Sequence, residues 1–173
     1  MSIPFDPLAI LETLNRHRAE FVVIGGFAGN VWGSPTITND LDICYSRESR
    51  AELVSALQEL AARPREFPAD LPFILDERTI QLGDTFTFET TRGNLDCLAT
   101  PSGTRGFGDL ASNSRALDLG EGLVVCFASV PDLIRMKRAA ARPKDLIEVE
   151  ILTALLEEIE RSSSASKPDR RRE

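Results

Sequence analysis

The sequence predicts an α+β domain, and three observations predict it. Apolar, β-branched runs such as "FVVIGG" alternate with stretches of helical periodicity. "DTFTFET" and "GNLDCLA" carry period-two alternation on either side of a glycine turn. From Ser129 onward, helical signals take over. With 173 residues of which 42% are apolar, the chain holds enough for one cored domain and too little for two of ordinary size. That domain is assigned to residues 1–160, and the polar, aperiodic "RSSSASKPDRRRE" at 161–173 is read as a disordered tail.

Element by element, Asp6 caps a first helix with Pro7 at its first position, and Leu8, Leu11 and Leu14 recur at helical spacing as far as Arg18. "FVVIGG" is a buried strand whose glycines lead into the short helix "FAGNVWG", closed by Gly33. "DLDICYS" is extended. "RESRAELVSALQELAARP" is helical, with Leu53, Leu57 and Leu60 on one face and a stop before Pro64. Pro64, Pro68 and Pro72 leave "REFPADLPFIL" without a legible period. "DTFTFET" and "GNLDCLA" form a hairpin, and "TPSGTRGFGDLASNS" is a loop with one short helix. "RALDLG" and "GLVVCFAS" are two strands joined across Gly-Glu-Gly. Ser129 and Asp132 have capping-box spacing ahead of "LIRMKRAA". Pro143 opens a long helix whose apolar face is Leu146, Val149, Leu152, Leu155 and Leu156.

Charge and composition narrow the chemistry. A net charge of −7 opposes unaided binding of nucleic acid, because such binding draws on lysines and arginines that neutralise phosphates. Basic residues do cluster late, in "RMKRAAARPK" and "RRR", as a cationic strip on an acidic body. One Trp and one Tyr are too few for a base-stacking platform. Cys44, Cys97 and Cys126 lie far apart with no C-x-x-C pair, and read as buried free thiols rather than zinc ligands. No apolar run is long enough to cross a bilayer, and "MSIPFDPLAI" lacks the features of a signal peptide, so a cytoplasmic protein is expected.

The chemistry-bearing stretch is "VVIGGFAGNVWGSPTITNDLDICYS". Side chains alternate along a strand, so Asp40 and Asp42 share one side while Leu41 and Ile43 face the other. Two carboxylates in one small volume repel unless a cation or a set of donors stabilises both charges. A hard divalent cation such as magnesium, which takes oxygen ligands and substrate phosphates, suits an Asp-x-Asp better than zinc does. Gly25 and Gly26 leave the N–H groups at the next helix N-terminus open to a phosphate. Asp96, an acid within the apolar strand "GNLDCLA", is placed beside them to bind a second metal and to accept or orient the proton of an attacking hydroxyl. Alone, the glycines are an ordinary strand-to-helix turn and the Asp pair an Asx-turn in a solvated loop; in combination they describe a metal and phosphate site.

"GGFAGNVWGSPTITNDLDI" resembles the signature of the nucleotidyltransferase superfamily related to DNA polymerase β. "LIRMKRAAARPKDLIEVEIL" is similar to the helical segment of AbiEii-type toxin nucleotidyltransferases. The likeness spans roughly residues 20 to 155. It implies a mixed sheet flanked by helices with a helical C-terminal segment, and transfer of a nucleoside monophosphate from an NTP with Mg2+ or Mn2+. By position, it implies that Gly25 and Gly26 hold phosphate, that Asp40, Asp42 and Asp96 hold metal, and that Lys137 neutralises the triphosphate, with Arg142, Lys144 and Asp145 also facing the nucleotide. The acceptor implied is a tRNA or protein hydroxyl, the role implied is the toxin-like part of a toxin–antitoxin or phage-defence pair, and the partner implied is an antitoxin protein. No arginine stands near Thr36 and no histidine near Trp32, two departures that motivate an alternative, a catalytically degenerate nucleotide-binding module. A Rossmann site is disfavoured because the spacing is G-G-x-x-G. No G-K-[ST] is present for a Walker A loop, and the lone His17, a surface residue of the first helix, offers no Ser-His-Asp triad.

Overall fold

In the computed structural model, which describes residues 3–165, Asp6 caps the first helix α1 (Pro7–Arg16) by accepting from Ala9 N–H at 3.1 Å. Strand β1 (Phe21–Ile24) then runs directly into α2 (Gly25–Trp32), which begins at the two glycines rather than after them. Gly33 closes α2 in the left-handed region at φ 111°. Strand β2 (Asp40–Tyr45) leads through a 3₁₀ turn at Arg47–Ser49 into α3 (Arg50–Glu59), so the single helix expected from Arg47 is two pieces.

The proline-rich middle contains two elements that have no periodic mark in the sequence, a two-residue strand β3 (Arg63–Pro64) and a five-residue helix α4 (Glu77–Gln81) capped by Asp76. Both are too short to carry a period. The expected hairpin is β4 (Thr85–Thr90) and β5 (Gly93–Leu98). The short helix α5 (Phe107–Ala111) and the second hairpin, β6 (Arg115–Asp118) with β7 (Val124–Phe127), follow as expected. Its turn carries positive φ at Gly120, Glu121 and Gly122.

Helix α6 (Val130–Ala140) starts at Ser129, whose hydroxyl accepts from Asp132 N–H at 3.2 Å; the Asp132 carboxylate does not reciprocate but accepts from Arg135 Nη2 at 2.8 Å. The last helix α7 runs Pro143–Ala165, so 161–165 of the expected tail are helical, and 166–173 lie outside the described residues. Its apolar face is rotated from the one expected, since Leu146 is 58% exposed. The cause is the burial of Asp145, which shares its face with Glu148, Val149 and Leu152 at i+3, i+4 and i+7 and leaves residue 146 to one side.

The strands form one mixed seven-stranded sheet in the order β3-β4-β5-β2-β1-β7-β6, with β2/β5 and β1/β7 parallel and the other neighbours antiparallel. Leu41, Ile43, Leu95 and Cys97 are fully buried on one face of the central strands. Cys44 is likewise buried, whereas Cys126 is only half-buried, a departure from the expectation of three buried thiols. Trp32 acts as a packing residue, with Nε1 donating to Ala128 O at 2.9 Å.

Candidate functional site

The opposite face of β2 and β5 is where the acids meet. The parallel register aligns Asp40 with Asn94 and Asp42 with Asp96, so all four side chains emerge on the side away from Leu41 and Ile43. The loop before β2 is pinned by α2, because Asn30 Nδ2 donates to Ser34 O at 2.9 Å and to Thr36 O at 2.5 Å. At its end, Thr38 Oγ1 donates to Asp40 Oδ1 at 3.0 Å and fixes that carboxylate.

Gly25 occupies φ +67°, and a Cβ there would overlap Asp42 Oδ2. A glycine is therefore required twice over at this position, for the backbone and for the space. A Cβ on Gly26 would stand 2.9 Å from Thr38 Cβ, so both glycines are packed against the loop and strand that present the acids. Ile24, the residue before α2, supplies no side-chain cap, which leaves the first N–H groups of the helix open towards the same region.

Electrostatically the cluster is strained as it stands. Burial, then Asp40, then Asp96 push the Asp42 carboxyl up to about 7, while Lys137 and Arg65 pull it back. Burial also raises Asp96, against the pull of Arg65. The Arg65–Asp96 ion pair went unseen in the sequence because Arg65 lies in the segment that the prolines render illegible. It is reachable through the sheet: the β3/β4 register carries Arg65 to Thr87, whose carbonyl accepts Arg65 N–H at 2.9 Å, and Thr87 is the partner of Asp96 on β5.

Gly25, Asp42, Lys137 and Arg142 line one cleft of about 270 Å³, together with Pro101, Ser102 and the apolar Leu133 and Met136 of α6. Lys137 is paired with Glu148 and with Asp145 Oδ1 at 3.4 Å. Asp145 is fully buried and also accepts from Arg142 N–H at 3.1 Å and Nε at 2.8 Å. Burial would raise its carboxyl, but these donors prevail and hold it below the usual range. Asp145 thus anchors the two cleft cations rather than facing the cleft itself. Lys144 is exposed and does not line the cleft.

The expected three-acid pocket is only partly assembled. Asp42 lines the cleft, while Asp40 and Asp96 lie along the strands beside it. Among the described residues, no group of three or more His, Cys, Asp and Glu side chains is placed to hold a metal ion. The residues fit one hard divalent cation. Asp40 and Asp42 offer only oxygen, lie on one side of one strand, and the space that a Gly25 Cβ would fill belongs to the Asp42 carboxylate.

No family model and no curated protein matches the chain. Solved structures do. The lincosamide antibiotic adenylyltransferase LnuA, in its lincomycin-bound crystal structure, is 12% identical over 86% of this chain and 95% of its own, with a TM-score of 0.57. The antibiotic-resistance factor ANT(2'')-Ia, in complex with adenylyl-2''-tobramycin, is 18% identical over 90% and 91%, with a TM-score of 0.53. A nucleotidyltransferase candidate from Thermotoga maritima is 16% identical over 88% and 91%, with a TM-score of 0.51. At these identities the likeness concerns the fold, and the mixed sheet with its helices is the nucleotidyltransferase fold.

Proposed function

We propose that this chain is a metal-dependent nucleotidyltransferase, which moves a nucleoside monophosphate from an NTP to a hydroxyl acceptor and releases pyrophosphate. The observation that carries the reading is the shared cleft. A glycine-started helix N-terminus, the half-buried Asp42 of an Asp-x-Asp strand, and the cations Lys137 and Arg142 line it, with Asp96 opposite Asp42 in register.

Asp40 and Asp42 would hold Mg2+ or Mn2+, which supplies Lewis-acid polarisation of the α-phosphate. The free N–H groups of Gly25, Gly26 and Phe27 bind phosphate oxygens at the positive end of α2. Lys137, freed from Glu148, neutralises the triphosphate, and Arg142, 59% exposed, reaches the same anion from the cleft mouth. Asp96 orients the acceptor hydroxyl and takes its proton as the hydroxyl oxygen attacks the α-phosphorus in line.

The acceptor we propose is a hydroxyl of tRNA or of a protein, with the chain acting in the cytoplasm as the toxin-like half of a toxin–antitoxin pair. The exposed Arg138, Arg142 and Lys144 give a polyanionic acceptor a landing strip on an otherwise acidic molecule. Small antibiotic hydroxyls are the other acceptors to test, because LnuA and ANT(2'')-Ia are antibiotic-modifying proteins. Among the described residues no helix is long and apolar enough to cross a membrane. The test incubates the full chain with each α-labelled NTP and Mg2+, in turn with tRNA, cell-extract protein, tobramycin and lincomycin. Label transferred to one acceptor, and lost in Asp42→Asn, supports the reading. Magnesium-dependent NTP binding without label on any acceptor favours the degenerate module.

A further inference from the structure

We propose that Arg65 takes the place of a second metal ion: the site holds one divalent cation, on Asp40 and Asp42, while the third acid, Asp96, is neutralised by the Arg65 guanidinium. This rests on the nucleotidyltransferase reading and refines its metal count.

Arg65, one residue past β3, continues its pairing to Thr87 of β4, and Thr87, Asp96 and Asp42 follow on β4, β5 and β2 as one cross-strand row. The guanidinium has to cross about two strand spacings, roughly 10 Å, to reach Asp96. It can do so because Thr87, the residue in between, is short and exposed. Both partners are largely withdrawn from solvent, with side chains 27% and 17% exposed. The segment that carries Arg65 is itself held down. Arg63 Nη2 donates to Leu71 O at 3.0 Å, its guanidinium lies 5.9 Å from the centre of the Phe67 ring, and Phe67 packs on Phe73 at 5.5 Å. Arg65 is thus placed by backbone pairing on one side and a folded loop on the other, rather than swinging from a free end.

Charge balance then favours one ion. Asp40, Asp42 and Asp96 contribute three negative charges and Arg65 one positive, so one divalent cation closes the sum and a second would leave the bare site at two positive. An Asp96 oxygen engaged by a guanidinium is also withdrawn from ligation, in keeping with the lack of a preformed three-acid group among the described residues.

The experiment counts Mn2+ on the full chain by electron paramagnetic resonance, with the metal alone as probe and circular dichroism as the check on folding. We expect one Mn2+ per wild-type chain, one in Arg65→Lys, and a second site in Arg65→Ala, where Asp96 is released. We also expect Asp96→Asn to leave the affinity of the single site within threefold of wild type. Two ions per wild-type chain, or a loss of affinity above tenfold in Asp96→Asn, would overturn the proposal while leaving nucleotidyl transfer intact. No bound ion in any of the folded proteins would overturn both. Should Arg65→Ala not fold, the wild-type count and Asp96→Asn decide alone.

Discussion

Asp42 and Asp96 stand directly across from each other on the parallel strands β2 and β5, two acids at neighbouring positions of one sheet face. The pairing bears on the pH dependence and the chemistry of the site, because the sheet holds two half-buried negative charges side by side.

The first prediction concerns pH. The Asp42 carboxyl is pushed up to about 7 from an ordinary 3.8, first by burial and then by Asp40 and Asp96. Below about pH 4 the folded and unfolded chains both carry the proton, and the group makes no difference. Between about 4 and 7 the unfolded chain releases it while the folded chain keeps it, so stability from this group falls as pH rises. We expect metal-free wild type to lose melting temperature across that window more steeply than Asp42→Asn. A divalent cation bound there would take the place of the proton. The rise in melting temperature on adding Mg2+ should therefore be larger at pH 8 than at pH 6, and absent in Asp42→Asn. Equal Mg2+ shifts at both pH values would refute the account.

Activity should separate from folding at the same residue. Asp42→Asn keeps the shape that fits against Gly25 and removes the charge, so the fold is retained and transfer falls by about 10²–10³-fold, the scale of losing one main electrostatic stabiliser. Thermal melts alongside steady-state pyrophosphate release check this. A mutant above a tenth of wild-type rate would sink it.

Two glycines in one helix offer a contrast. Gly25→Ala must adopt φ +67° with a methyl group where Asp42 Oδ2 lies, so it costs about 1–2 kcal/mol of backbone strain and displaces the carboxylate. Gly29→Ala meets Ser34 Cβ at 3.5 Å and Leu152 at 3.8 Å, ordinary contacts, and should be tolerated or mildly stabilising. The measurement is Mg2+-dependent NTP affinity with melting temperature. Equal effects of the two substitutions would contradict the geometry.

How far the sequence disclosed this site depends on the kind of signal. Asp40, Asp42 and the glycines were legible because strand alternation and helix-start chemistry are local, and the hairpin strands announced themselves by period two. The alignment of Asp96 with Asp42 is a non-local pairing that residue order only suggests, yet the acid amid apolar neighbours marked it. Arg65 had no local mark. Its role comes from a two-residue strand in a proline-broken segment, visible only once β3, β4 and β5 are laid side by side. The rotation of α7, which exposes Leu146, followed from a buried ion cluster that overrides apolar periodicity.

That buried cluster makes a stability prediction. Asp145 is fully buried and accepts from Arg142 N–H and Nε, with Lys137 at 3.4 Å. Asp145→Ala removes these partners at the junction of α6 and α7, and should cost about 1–3 kcal/mol of stability. It should also raise KM for NTP, since both cleft cations lose their anchor. Unchanged melting and unchanged KM together would show that Asp145 anchors nothing.

The last prediction sets two carboxylates against a substrate. Lys137 lines the cleft with its ammonium group already paired to Glu148 and Asp145, so on the proposed function a triphosphate would have to compete with Glu148 for it. Glu148→Gln keeps the size and a hydrogen-bond acceptor but removes the competing charge, and should lower KM for NTP several-fold with kcat little changed. Lys137→Met removes the cation itself. A charge-assisted hydrogen bond contributes about 1.5–3 kcal/mol, so KM should rise roughly 10- to 150-fold. In the double mutant the benefit of Glu148→Gln should vanish, because without Lys137 there is no charge to compete for. A Glu148→Gln enzyme with raised KM would show instead that Glu148 holds Lys137 in its working position.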